Sequence, residues 1–333
     1  EPLRAFYDDW YRPDNAAVIV VGDIDPGEIE RGLVDRFGSL VARGSSPERP
    51  ELVVEPAGEP RVVIVADPDV AEGFAQVTLP TAPKSDLAAE ADLQASVLDA
   101  LAFDIIATRL GNDALRGDAP FDDARVDSSG FVRGLDAPEI VVSADGDALE
   151  ASTQAVFDEY ERVRRFGFTP AEVARAVSSI RAGVDSFYEG RDARQDADFA
   201  DEYVRHVLVD EPIPTAEVNY DVLNVILDRA TPETVAYGFV NRLASSAAHV
   251  MVVVPETEAG DLPDEDAWVA QALGLRDRDL EPREEEAGVQ GELMVAPDPV
   301  EELSTVRHAD GSAVSFVAPQ LLTFANGVTV SLN

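Results

Sequence analysis

The sequence predicts a chain of mixed helices and strands assembled from repeated helix–strand–helix units. Three observations carry that expectation. Capped amphipathic helices recur along the chain, and short apolar runs rich in β-branched residues lie between them. One helix–strand–helix order also returns about 230 residues after its first appearance.

The first unit spans residues 3–38. Leu3, Phe6, Tyr7 and Trp10 share one helical face, and Pro13 cannot continue that helix. Ala16 to Val21 then reads as a strand buried on both faces, closed by Gly22-Asp23. Asp25-Pro26-Gly27-Glu28 opens a second helix, with Asp25 as N-cap, Pro26 at the first helical position and Glu28 three residues after the cap. Its apolar positions Ile29, Leu33, Val34 and Phe37 run to Gly38.

A polar stretch with several prolines follows and reads as a linker over 44–60. Arg61–Asp67 and Ala75–Leu79 are strands. A helix is expected from about Asp86 to Leu110, stopped by Gly111. Val126–Val132 and Ile140–Ser143 are shorter strand candidates, and Ala148–Phe166 is helical. Thr169-Pro170-Ala171-Glu172 forms a capping box that launches a helix to about Tyr188. The charged interval 189–198 interrupts it, helix resumes to about Leu208, and Glu217–Leu227 is helical again. Thr231-Pro232 starts the recurring unit: a helix to about Leu243, the apolar run Val250–Val254 closed by Pro255, and a helix carrying Trp268, Val269, Ala272 and Leu273 to Gly274. Residues 276–320 read as an acidic connection. Leu321–Leu332 reads as a hairpin around Asn326-Gly327, with no sheet to join in this chain.

Composition narrows the function classes. The 333 residues carry 65 acidic against 26 basic side chains, a net charge of −39, and Lys84 is the single lysine. Acids spread along the whole chain over an ordinary apolar content point to a surface suited to high salt, where screening weakens self-repulsion. Nucleic acid is excluded as a partner, since no basic patch could neutralise phosphates. There is no cysteine, hence no disulfide, thiolate nucleophile or sulfur ligand. No apolar run has the length of a membrane span.

Residue chemistry supplies no active site. His206, His249 and His308 stand in no metal-binding spacing: His206 reads as a helix-end contact with Asp210, His249 as a half-buried, hydrogen-bonded residue at a strand entrance, and His308 as exposed. Asp23/Asp25 and Asp67/Asp69 lack the glycine and glutamate of a calcium loop and read as turn and capping residues. Glu28 and Glu172 are accounted for by capping, and Arg191 and Arg194 beside Asp192 and Asp196 by charge lacing. P-loop, G-x-G-x-x-G and G-x-S-x-G patterns are all missing. No catalytic, cofactor-binding or metal-ligating residue is therefore assigned.

Several segments together resemble the insulinase/pitrilysin family of zinc metallopeptidases, which includes the mitochondrial processing peptidases. Leu3, Phe6, Tyr11, Pro13 and Asn15, followed by Val18-Ile19-Val20-Val21-Gly22-Asp23 and a helix ending Arg36-Phe37-Gly38, resemble the close of that family's first domain. Phe166-Gly167-Phe168-Thr169-Pro170-Ala171-Glu172-Val173 resembles the start of a long helix in its second domain, and Leu321 to Val330 the hairpin that opens each domain. The resemblance implies two-layer α+β domains, with helices packed on an antiparallel-rich mixed sheet. It divides the chain into the end of a first, catalytic-type domain (1–43), the linker (44–60), a complete non-catalytic second domain (61–285), an acidic connection (286–320) and the first hairpin of a third domain (321–333).

The family's zinc ligands and catalytic glutamate, in H-x-x-E-H and a glutamate beyond it, precede the segment matching Glu1. The chain alone is thus expected to be inactive and metal-free, with zinc in a longer parent. Its partners would be the rest of its own chain or a partner half and, through the parent, a peptide. Localisation is left at soluble, periplasmic or cytoplasmic, in a bacterial or archaeal high-salt source. Two other readings stand beside this one. The parent could be a scaffold or partner subunit that has lost its zinc site. The chain could also be an unrelated carbohydrate- or peptide-binding module, which a structure lacking helices on an antiparallel-rich sheet over 61–275 would favour.

Overall fold

Most of the apolar runs meet in one mixed sheet, in a computed structural model that describes residues 2–41, 58–81, 90–127, 130–132, 135–274, 278–284, 302–307, 320–324 and 329–332. In chain order, helices α1 (Pro2–Trp10) and α2 (Pro26–Phe37) precede strands β1 (Arg61–Asp67) and β2 (Phe74–Thr78). The long helix α3 (Glu90–Arg116) leads to β3 (Asp123–Asp127), β4 (Gly130–Val132), β5 (Leu135–Asp136) and β6 (Glu139–Ser143). Five helices follow: α4 (Leu149–Phe166), α5 (Pro170–Glu189), α6 (Asp196–Val209), α7 (Ala216–Asp228) and α8 (Pro232–Ser245). Then come β7 (His249–Pro255), α9 (Glu265–Leu273) and strands β8 (Glu302–Arg307), β9 (Gln320–Phe324) and β10 (Thr329–Leu332). The chain divides into two units, Glu1–Glu285 and Glu286–Asn333.

The main sheet has the order β1-β7-β2-β6-β3; β1 and β7 run parallel and the other neighbours antiparallel. Register explains why one face is dry. Val62, Val250, Val77, Ile140 and Val126 lie on successive strands in one cross-strand row, and Ile64, Val252, Ala75, Val142 and Ala124 in the next. Every residue of both rows is in the core or packed against it. Helices cover these rows with Leu101, Ile105 and Ile106 from α3, Val156 and Phe157 from α4, Phe239 from α8 and Trp268 from α9. A side chain of this size contributes roughly 1.5–3 kcal/mol when fully buried. On the opposite face of β1, Val63 and Val65 stay exposed. This is the two-layer arrangement expected, and it sets aside the unrelated binding module.

Local chemistry accounts for most boundaries. Asp25 accepts the Glu28 N–H at the start of α2, and Thr169 and Glu172 complete their capping box at α5. The interval 189–198 breaks the helix through a 3-10 turn at Arg191–Ala193. Gly111 does not end α3, which continues to Arg116. A glycine inside a helix costs only about 1 kcal/mol, and the real stop is Gly117 at φ +72°. There the Gly117 N–H reaches the Ala114 carbonyl and the Asp118 N–H reaches that of Asp113, a Schellman pair. The strand expected over Val126–Val132 is divided between β3 and β4, and the short β5 was not anticipated.

Two expectations are corrected. Ala16–Val21 is not a strand: it has no strand partner among the described residues, and Val18 is 57% and Val20 44% exposed. Composition favours extended backbone, but only a ladder on each side makes a buried strand. Its counterpart β7 has β1 and β2 as neighbours. Across residues 2–41 only Arg12 is buried. The terminal hairpin, in turn, does find a sheet. β9 pairs with both β10 and β8, and β8 lies inside what read as irregular connection. The weak alternation of Glu302–Arg307 hid a strand whose register with β9 is broken by an irregularity between Glu302 and Ser304. Residues 42–57 of the linker, most of 276–320, and Asn326-Gly327 lie outside the described residues.

These differences predict a contrast in hydrogen exchange. The amides of Val18–Val21 should exchange at close to unprotected rates, while Val250–Val254 exchange only through global opening. Equal protection of the two segments would contradict the fold described.

Candidate functional site

A single arginine on the apolar side of α3 organises the polar interior. Arg109 lies one turn after Ile105 and Ile106, and only 6% of it is exposed. Its Nε and Nη2 donate to the two carboxylate oxygens of Glu172 at 2.6 and 2.7 Å, and Nη1 donates to Glu159 at 2.7 Å. Nη2 also donates to the Gly167 carbonyl at 3.3 Å, and the guanidinium lies over the Phe168 ring, 5.1 Å from its centroid.

The sequence folds locally to permit this. Gly167, at φ +69°, turns the chain between α4 and α5, and a Cβ there would sit in a backbone region that side chains rarely adopt. Phe168 follows, and Thr169 begins α5. The Glu172 carboxylate both caps the Thr169 N–H at 2.8 Å and takes the fork of Arg109. Capping is thus only half of what Glu172 does. Glu159, on α4 and fully buried, also accepts from Arg162 and Arg283.

Burial pushes the Glu159 carboxyl up, but the charges of Arg283 and Arg109 outweigh it and hold it below its ordinary value. Burial likewise raises Glu172, and the bonds from Arg109 and the Thr169 N–H bring it below. Arg109 and Arg283 are disfavoured as cations by burial yet end above the ordinary arginine value, because their carboxylate partners prevail. Such a cluster remains ionised across the neutral range and has no proton to exchange. It is architecture, not acid–base chemistry.

A groove of about 370 Å³ lies between α3 and α8, lined by Ala95, Leu98, Tyr237 and Gly238. At its wall Arg242 donates to Asp99 at 2.7 Å and to the Thr81 hydroxyl. The lining contains neither a histidine nor a cysteine.

The other residues weighed on sequence grounds are placed as follows. His206 Nδ1 lies 2.8 Å from the backbone carbonyl of Glu211, so the helix-end contact is with Glu211 and not with the Asp210 side chain. His249 is half-buried at the start of β7, but its Nε2 has no hydrogen-bond partner among the described residues; burial and the nearby charge of Arg61 lower its pKa. Its expected hydrogen bond is therefore corrected. His308 lies outside the described residues. Asp25 caps α2 and Asp67 accepts the Asp69 N–H at 2.8 Å, both turn roles. Arg191 stacks on Tyr188, and Arg194 pairs with Glu202 between the rings of Phe187 and Phe199. Both are local clamps, with partners other than the neighbouring aspartates. Among the described residues no three His, Cys, Asp or Glu side chains are grouped to hold a metal ion. Arg109, Glu159 and Arg283 were not singled out in the sequence. The available signal was a lone arginine on an otherwise apolar helical stripe beside Ile105, Ile106 and Leu110.

The cluster makes stability acid-sensitive. Because Glu159 and Glu172 lie below their ordinary value of 4.5 when folded, their contribution is complete above that pH and is lost as pH falls through the folded values. Unfolding free energy should therefore decline below about pH 4.5, and more gently in Glu172→Gln. Arg109→Met, which leaves both carboxylates without their main cation, should cost about 3–5 kcal/mol at neutral pH in denaturant unfolding.

Comparison with known proteins agrees with this picture. The family model described as the peptidase M16 inactive domain matches residues 1–180. A zinc protease PQQL-like protein of Arabidopsis thaliana is 24% identical over 235 residues, covering 70% of this chain and 22% of that protein. The crystal structure of the periplasmic protease PqqL from Escherichia coli superposes with a TM-score of 0.76 at 19% identity, over 99% of this chain and 36% of that one. An insulinase family protease from Yersinia pestis superposes with a TM-score of 0.66 at 17% identity, over 82% of this chain and 58% of that one. The chain thus spans between about a fifth and three fifths of the proteins it resembles. It belongs to the M16 (insulinase/pitrilysin) peptidase family, as a non-catalytic domain of that family.

Proposed function

We propose that this chain serves a longer zinc-dependent M16 endopeptidase as chamber wall and support, and carries out no chemistry itself. The observation that carries the proposal is the match of the inactive-domain model to residues 1–180, in a chain that spans 22% of its Arabidopsis relative and 36% of the Escherichia coli one. In this reading residues 1–43 close a first domain and 61–285 form the second, while the terminal hairpin opens a third whose sheet also takes in β8. A partner half or the rest of the same chain would complete the enclosure, and a peptide would be the substrate of the whole.

Zinc does not fit the residues described. The Nδ1 of His206 is engaged by a backbone carbonyl, and His249 sits beside the cation Arg61 on a strand. The ligands of the parent would come from outside this chain. The proposal assigns no catalytic, cofactor-binding or metal-ligating residue here. Elemental analysis of the purified chain should find well under one zinc per molecule, and a fluorogenic peptide should remain uncut. One tightly held zinc per chain would overturn the assignment. An H-x-x-E-H motif upstream of Glu1 in the reading frame would support an active parent. Its replacement there would make the parent a scaffold or partner subunit.

The acidic surface supports a high-salt setting. With a net charge of −39, self-repulsion at about 0.1 M salt acts over roughly 10 Å and shrinks several-fold near 1 M. No helix among the described residues is long and apolar enough to cross a membrane. The thermal unfolding midpoint should rise between about 0.1 and 1 M potassium chloride; a flat or falling midpoint would remove the high-salt reading.

A further inference from the structure

The main sheet ends in two edges of opposite character. β3 closes it on one side and β1 on the other, and among the described residues neither has a further strand beside it. An open edge is a template for another strand, which chains ordinarily block with charge, proline, a bulge or a cover. β3 is blocked: Asp123, Arg125 and Asp127 are all exposed on a strand of five residues. β1 carries none of these devices. Its interior, Val62-Val63-Ile64-Val65-Ala66, is apolar and mostly β-branched, and its ladder with β7 runs from Arg61 to Asp67 without a register shift.

Backbone direction shows what this edge offers. The Arg61 N–H donates to the Ala248 carbonyl at 3.3 Å, towards β7. Peptide groups alternate along a strand, so those of Val62, Ile64 and Ala66 point to the open side. Burial declines over the same three positions: Val62 is buried, Ile64 half-buried and Ala66 exposed. Val63 and Val65, on the face without helices, are 53% and 36% exposed. The core-side row is thus left unfinished at the edge.

The sequence of β1 is also complementary to itself. Set antiparallel about a two-fold axis at Ile64, Val62, Ile64 and Ala66 of one copy meet Ala66, Ile64 and Val62 of the other as hydrogen-bonded pairs. Every outward N–H and carbonyl of those residues is then used. Val63 meets Val65, and Arg61 meets Asp67, at the non-hydrogen-bonded positions where opposed side chains are closest. The same operation on β3 about Arg125 opposes Asp123 to Asp127 and Arg125 to its own copy, like charges throughout.

We propose that β1 is a homotypic docking edge, on which a second copy of this chain adds its own β1 antiparallel, centred on Ile64, so that two five-stranded sheets become one. This pairing needs only the sheet and stands apart from any role in a peptidase. One strand pair is a small contact at the weak end of protein interfaces. An exposed Arg–Asp pair adds no more than about 1 kcal/mol, so Arg61 and Asp67 select the register more than they hold it. Each copy carries a charge of −39, whose repulsion reaches roughly 10 Å at 0.1 M salt and about 3 Å at 1 M. Association therefore strengthens as salt rises, the reverse of a contact held by ion pairs.

Sedimentation equilibrium of the full chain, at about 100 µM to suit a weak interface, tests this. The mass should approach that of two chains in about 1 M potassium chloride and fall towards one in about 0.1 M. Ala66→Pro removes an outward N–H without touching the ladder to β7, and should weaken association at least about tenfold while the far-ultraviolet spectrum stays unchanged. Arg61→Asp and Asp67→Arg each set like charges opposite one another, and each should associate several-fold more weakly than the unsubstituted chain. Their equimolar mixture restores opposite charges at both ends and should recover the association. Asp67→Arg also lowers the net charge, and would strengthen any contact governed by repulsion alone. If Ala66→Pro does not fold, the mixing experiment decides. A chain that stays monomeric in high salt, a dimer indifferent to a folded Ala66→Pro, or a mixture no tighter than the single variants would overturn the proposal.

Discussion

The helical layer depends on one buried cation. Arg109 binds the start of α5 through Glu172, the middle of α4 through Glu159 and the turn between them through the Gly167 carbonyl. Three segments are thus fixed to α3 by one planar group whose donors match the carboxylate spacing. Replacing such a cluster by apolar residues of equal volume need not destabilise a protein, whereas removing one partner does. What the cluster supplies beyond stability is a fixed register between helices, since a fork satisfied on all sides tolerates little sliding.

The same economy shapes the rest of a very acidic molecule. With 26 basic residues against 65 acidic ones, arginines are scarce, and several stand where they settle more than one contact. Arg242 joins α8 to Asp99 of α3 and to Thr81 beyond β2. Arg181 of α5 joins Asn224 and Asp228 of α7. The surplus acids are left to solvent, where salt screens them. Such an interior suits a domain that supports its neighbours: its polar groups are arranged to stay ionised and in place.

The two copies of the helix–strand–helix unit show how far a local pattern goes. Both contain an apolar, β-branched run between capped helices. β7 lies between β1 and β2 with Val250, Val252 and Val254 buried, while Ala16–Val21 leaves Val18 and Val20 in the open. A strand is a property of its neighbours, because its backbone groups must be satisfied from beside it. The strand Glu302–Arg307 makes the converse point: weak alternation did not prevent pairing once β9 offered an edge.

Sequence alone determined what one segment can decide for itself. The capping box at Thr169, the helix start at Thr231, the cap at Asp25, the apolar faces of the helices and the strands β1, β2, β6 and β7 follow from spacing over a few residues. The absence of a recognisable catalytic motif was legible in the same way, because such motifs are local. Tertiary structure decided the rest. Glu172 looked complete as a cap until Arg109, 63 residues away, took its carboxylate. Asp113 and Glu159 lie 170 and 124 residues before the Arg283 that donates to both, and nothing in their local context distinguishes them from the other charges of the chain. Long-range pairing of charges has no period to read, since only packing brings the partners within reach of one another.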